Sequence, residues 1–90
     1  MLVFRPFEKN LFGQTRSWSA ESGGGQYVIA KAATADTYQA SYQTTGAKPL
    51  LLHNGAWLPA FERAKQICEQ DSSARMRQRI AEKARARPGR

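Results

Sequence analysis

The stretch Thr37-Tyr38-Gln39-Ala40-Ser41-Tyr42-Gln43-Thr44 alternates without interruption. Tyr38, Ala40 and Tyr42 fall on one side, and Thr37, Gln39, Ser41 and Gln43 on the other. A period of two with one apolar and one polar face is the pattern of a strand in an antiparallel sheet, dry beneath and wet above. Working back towards the N-terminus, Thr34-Ala35-Asp36 makes a tight connection to a second strand, Gln26 to Ala33. That strand carries Tyr27, Val28 and Ile29, residue types that fit a pleated surface. Before it, Glu21-Ser22-Gly23-Gly24-Gly25 reads as a turn, because consecutive glycines lose most freedom on ordering. Phe12 to Ser19 alternates again, with Trp18 as its aromatic anchor. The first residues, Leu2, Val3, Phe4, Phe7, Leu11 and Phe12, form a dense apolar patch broken by Pro6. They read as a short strand and loop across the core, or as a docking edge for another chain.

Working forward, Thr45-Gly46-Ala47-Lys48-Pro49 is a loop, and Leu50-Leu51-Leu52-His53 a short buried strand. Asn54-Gly55 then signals a type I′ turn. Past it the period changes. Pro59 suits the first turn of a helix. Trp57, Ala60, Phe61, Ala64, Ile67 and Cys68 share one arc at about 100° per residue, which predicts an amphipathic helix packed on the sheet. The same arc continues through Asp71, Arg75, Gln78, Arg79 and Glu82, none of them apolar. The buried face is therefore expected to stop near Cys68, and the chain beyond Ser73 to be solvated, flexible or helix-extending.

The predicted fold is α+β. It is a small antiparallel sheet of three or four strands, followed by one amphipathic C-terminal helix packed on one face, with a basic projecting tail. Residues 1–71 form the domain and 72–90 the tail. This order is similar in outline to several small DNA-binding domains, including the plant ethylene-response type and the coactivator type that grips single strands. The likeness is one of element order, without a shared residue motif.

The chain has 90 residues, 41% hydrophobic, and a formal charge of +7. One thin-cored domain fits that length; a TIM barrel or full dinucleotide-binding fold does not. One cysteine, Cys68, excludes an intramolecular disulfide. The absence of a disulfide framework, of a signal-peptide apolar stretch and of a membrane-length apolar run predicts a cytoplasmic protein with no membrane insertion.

The charge is concentrated. Residues 1–74 carry seven bases and six acids, a net +1. Residues 75–90 carry Arg75, Arg77, Arg79, Lys83, Arg85, Arg87 and Arg90 against Glu82 alone, a net +6. Arginine suits bidentate contacts with phosphate, and such contacts release counterions.

Catalytic chemistry finds little footing. One His and one Cys cannot make a four-ligand zinc site, so no metal is expected. Ser22-Gly23-Gly24-Gly25 opens a strand rather than a helix, so it lacks the amide cradle of a phosphate loop. His53 stands alone and no Gly-x-Ser-x-Gly elbow is present. No enzyme and no cofactor are expected.

The leading expectation is a small basic nucleic-acid-binding or nucleic-acid-associated protein. Arg75, Arg77, Arg79, Lys83, Arg85, Arg87 and Arg90 would meet phosphates, and Gln39, Ser41 and Gln43 would add contacts from the wet sheet face. The chain cut after Ser73 is expected to stay folded and lose most binding. The second expectation is a protein-interaction module or homodimer, such as an adaptor or a mobile-element inhibitor. It would dock through Leu2, Val3, Phe4 and Phe7 or a sheet edge.

Overall fold

The computed structural model describes residues 2–86, with side chains through Ala81. Five strands form one antiparallel sheet in sequence order: β1 (Arg5–Lys9), β2 (Thr15–Ser22), β3 (Gly25–Lys31), β4 (Tyr38–Thr44) and β5 (Leu50–Leu51). One helix comes after them, α1 (Phe61–Ala86). The α+β class and the terminal helix are as the sequence predicts, but the sheet has five strands rather than three or four.

The extra strand is β1. All five of its residues are exposed, and its register with β2 slips on either side of Glu8. Pro6 and the irregular register mark it as an edge, since proline cannot donate to a further strand. Its exposure breaks the alternation by which buried strands are read from sequence.

The three central strands behave as their patterns demand. Trp18 pairs Ile29 and Ala20 pairs Tyr27 across β2 and β3, and Tyr27 pairs Tyr42 and Ile29 pairs Ala40 across β3 and β4. Ala20, Tyr27, Ile29, Ala40 and Tyr42 form one buried cluster with Leu2, Leu52, Leu58, Ala64, Ile67 and Cys68. The helix therefore covers the Tyr38/Ala40/Tyr42 face of β4. Small side chains at Ala20, Ala40, Ala64 and Cys68 let it lie close. Gly23 and Gly24 both take positive φ, and Ser22 pairs Gly25, so the β2–β3 turn is a two-residue hairpin of the twist-matched kind. Gly25 must be glycine for another reason: a Cβ there would overlap the Tyr42 hydroxyl.

Three local expectations are corrected. Leu50 and Leu51 are exposed rather than buried, because β5 pairs only β4 and lies at the sheet's other edge; of that apolar run only Leu52 enters the core. Asn54-Gly55 does not close a hairpin. His53, Asn54 and Gly55 all take positive φ in a short 3-10 turn, and the chain returns to the strand it left. Leu52 donates to Ala40 O at 2.9 Å, and Leu58 exchanges two backbone bonds with Tyr38. Residues 53–57 are thus an excursion from one edge, which leaves Trp57 half exposed ahead of the helix. Pro59 also lies outside α1, and Ala60 accepts the first helical bond, from Ala64 N.

Candidate nucleic-acid interface

Along α1 the contacts with the sheet change character. In the first turns they are apolar and aromatic. Phe61 meets Trp18 edge-on at 4.9 Å between ring centroids, and also packs near Phe4 and Tyr38. Ala64, Ile67 and Cys68 complete this half. Where the apolar arc ends, polar groups take over. Tyr27 donates to Asp71 Oδ2 at 2.7 Å, and Arg75 Nε donates to the same oxygen at 2.6 Å. The Arg75 guanidinium lies 4.0 Å from the centre of the Tyr42 ring, and Tyr42 leans on Tyr27 at 4.6 Å. The Ser22 and Ser72 hydroxyls are hydrogen-bonded at 3.1 Å. One turn further, Arg79 Nη2 donates to Gly23 O at 3.1 Å.

These residues form a clamp. Tyr27 and Tyr42 bring buried rings to this end, and the helix gives the Tyr27 hydroxyl an acceptor and lays Arg75 over the Tyr42 ring. Burial first, and then the bond to Asp71, hold the Tyr27 hydroxyl well above its ordinary range, so it remains a donor. The same carboxylate strengthens the proton affinity of Arg75. Cys68 is fully buried; burial, with the negative charges of Asp71 and Glu69 adding to it, pushes its thiol up to about 12. It is a neutral packing residue, because only a thiolate is a nucleophile.

The seven predicted phosphate ligands therefore divide. Arg75 is half-buried and its charge is taken up by Asp71. Arg79 is exposed and touches the body through one nitrogen. Arg77 is exposed on the helix, facing the side of Gln66, Glu69, Gln70 and Ser73. Lys83 and Arg85 lie on the helix backbone beyond the last described contact with the sheet. Arg87 and Arg90 lie outside the described residues. The helix is unbroken across the predicted boundary at residues 71 and 72. Of the two states expected for the tail, helix extension is the one seen through Ala86.

Gln39, Ser41 and Gln43 stand on the face opposite the helix and are part-buried, with Gln39 beside the His53–Gly55 turn. Each is already bonded within the sheet or its loops. Gln39 Nε2 donates to Gly55 O at 2.7 Å and Gln43 Nε2 to Ala47 O at 2.8 Å, while Ser41 Oγ reaches Val28 O at 3.5 Å. The predicted N-terminal docking patch is split. Leu2 is in the core and Phe4 packs on Phe61, so only Val3 and Phe7 remain exposed.

The structure adds a feature that the sequence leaves hidden inside that patch. Between β1 and β2, Asn10 Oδ1 accepts from Phe12 N at 2.9 Å and Gln14 N at 3.0 Å. Asn10 N donates to Gln14 O, Gly13 N donates to Asn10 O, and Gly13 has φ +79°. This bonded turn holds Leu11 fully exposed and Phe12 88% exposed. A signal is present in the sequence: Asn10 and Gly13 are turn formers that bracket the pair. Arg5, Lys9 and Arg16 lie exposed on the two strands behind it, and among the described residues none is ion-paired. With Glu8 bonded to Ser17, the hairpin from Arg5 to Arg16 carries three bases and one acid.

No three His, Cys, Asp or Glu side chains come together as a metal site among the described residues. No helix among them is long and apolar enough to cross a membrane. In comparisons with family models, curated proteins and solved structures, the chain matches none.

Proposed function

We propose that this is a cytoplasmic nucleic-acid-binding protein in which a folded body presents a rigid basic arm. The observation that carries this reading is the continuity of α1. The helix passes its last described contact with the sheet at Arg79 and runs on to Ala86, carrying Lys83 and Arg85 against Glu82 alone. Arg77, Arg79, Lys83, Arg85, Arg87 and Arg90 are the phosphate ligands, and Arg75 is a clamp residue. Cationic side chains on a preformed helix lose less freedom on binding than those on a coil. Gln39, Ser41 and Gln43 contribute through the oxygen atoms their internal bonds leave available.

The test is a salt titration of binding to labelled duplex DNA, single-stranded DNA and RNA by fluorescence anisotropy. For a duplex, each phosphate engaged adds about −0.9 to the logarithmic salt slope. Replacing Arg77, Lys83 and Arg85 together by glutamine is expected to reduce that slope by about 2 to 3. Absence of binding to all three probes at low salt would overturn the reading.

A protein-interaction module is the second reading, favoured by exposed Val3 and Phe7 beside the open edge of β1. It predicts a salt-insensitive dimer or complex by light scattering, indifferent to nucleic acid.

A further inference from the structure

We infer that the β1–β2 hairpin is a second nucleic-acid contact, a wedge that inserts Leu11 and Phe12 between base pairs of a duplex. The inference rests on the nucleic-acid reading above.

Three observations carry it. Leu11 and Phe12 are the two most exposed large apolar side chains among the described residues. Water-exposed pairs of this kind mark contact sites when something holds them out, and here the Asn10 bonds and the Gly13 turn do so. The surroundings are cationic. Lys9 lies on β1 and Arg16 on β2, on either side of the tip, as the two phosphate rows lie on either side of a groove. Finally, a shallow cleft behind the tip runs between Arg16 and Lys31, over Trp18 and Tyr38. Leucine and phenylalanine are among the side chains that wedge base steps apart.

Size sets the mode of entry. Paired strands are about 4.8 Å apart before side chains are added, and an undistorted minor groove is about 6 Å wide. The hairpin can seat its tip there only if the groove opens. Insertion therefore implies a kinked, locally unstacked duplex.

The rest of the chain favours a duplex over a lipid surface: residues 75–90 hold seven bases and no Trp, Phe or Leu to enter a membrane interface. β2 runs from the Leu11/Phe12 tip to the Gly23–Gly24 turn, where Arg79 is held and the arm departs. Tip and arm therefore occupy opposite ends of a molecule 61 Å long and 22 Å across. Because the two contacts are separate, their free energies should add.

The experiment uses the full chain and a short DNA duplex carrying a fluorescent adenine analogue at a central step, with end labels for energy transfer. The wild-type chain should raise the analogue's fluorescence and bring the ends closer. The double substitution Leu11→Ser/Phe12→Ser, at positions with no packing to lose, should weaken binding about 10- to 100-fold and abolish both signals. The salt slope should not change. Arg77→Gln/Lys83→Gln/Arg85→Gln should show the reverse: a smaller slope with the unstacking signal retained at low salt. Wild-type affinity and unstacking in the serine variant would overturn the wedge and leave the arm reading intact. Absence of duplex binding by the wild-type chain would overturn both. If the serine variant lost binding only to phosphatidylserine vesicles, the hairpin would be a membrane contact and the wedge would be wrong.

Discussion

The two halves of α1 are one helix under two regimes. From Phe61 to Cys68, burial holds it: Phe61 in an aromatic cluster, and Ala64, Ile67 and Cys68 against the sheet. From Asp71 to Arg79, polar groups hold it: one carboxylate shared by Tyr27 and Arg75, a cation over Tyr42, a serine pair and an arginine on a turn carbonyl. The difference teaches that an apolar face need not run the length of a helix for the helix to stay docked. Residual polar contacts carry it two further turns and aim the basic arm beyond Arg79. Without them, the segment after Cys68 would have only weak intrinsic propensity to keep it helical.

The sharpest way to break the comparison is in the apolar half. Ile67→Ala leaves a cavity against the sheet and should cost about 2–4 kcal/mol by urea unfolding. A loss below that of the clamp variant would mean that burial is not the main hold. The clamp comes next. Asp71→Asn keeps the shape but removes the charge shared by Tyr27 and Arg75. With partial exposure discounted, about 1–2 kcal/mol should be lost. In a double-mutant cycle, Asp71→Asn and Arg75→Gln should couple, and simple additivity would show the pair to be idle.

Alkaline pH separates the halves in another way. The folded thiol of Cys68 titrates near 12, above its ordinary 9.0. Below pH 9 the thiol is neutral in both states and its contribution is complete. Above that the unfolded chain ionises first, so stability falls as pH rises towards about 12. Tyr27 acts in the same direction, from its ordinary 10.0 upward. Cys68→Ala should flatten the early part of this fall, as measured by urea midpoints. The native thiol should also resist alkylation until the chain unfolds. The smallest effect belongs to the projecting segment. Arg77→Gln and Ile80→Gln should each change stability by less than about 0.5 kcal/mol, because both side chains are exposed.

Much of this division is legible in the sequence. The alternation of residues 37–44 and the arc from Phe61 to Cys68 give the central strands, the helix and the face they share, because burial imposes those periods. The end of the apolar arc is legible too, but the polar clamp that replaces it is not. Asp71, Arg75 and Arg79 read as solvated because their partners, Tyr27, Tyr42 and Gly23, are distant in the chain and meet them only in the fold. For the same reason a chain cut after Ser73, expected to stay folded, is expected to lose part of its stability as well: the cut removes Arg75 and leaves Asp71 half-buried without its cation. Strand β1 is blurred by its full exposure and slipped register. Leu2 and Phe4 read as one docking patch with Phe7 because nothing local tells a residue folded under the helix from one left on an edge.

The +1 of residues 1–74 also hides structure, since three bases and one acid gather on the Arg5–Arg16 hairpin. The body is not electrically featureless, although most of the +7 still lies beyond residue 74.

The most direct test of the central claim is the salt slope of duplex binding, measured for the intact chain and for Arg77→Gln/Lys83→Gln/Arg85→Gln. All three sites lie outside the clamp, so the fold should be unaffected. The account predicts tight binding at low salt and a slope reduced by about 2 to 3 in the variant. An unchanged slope at equal affinity would contradict it.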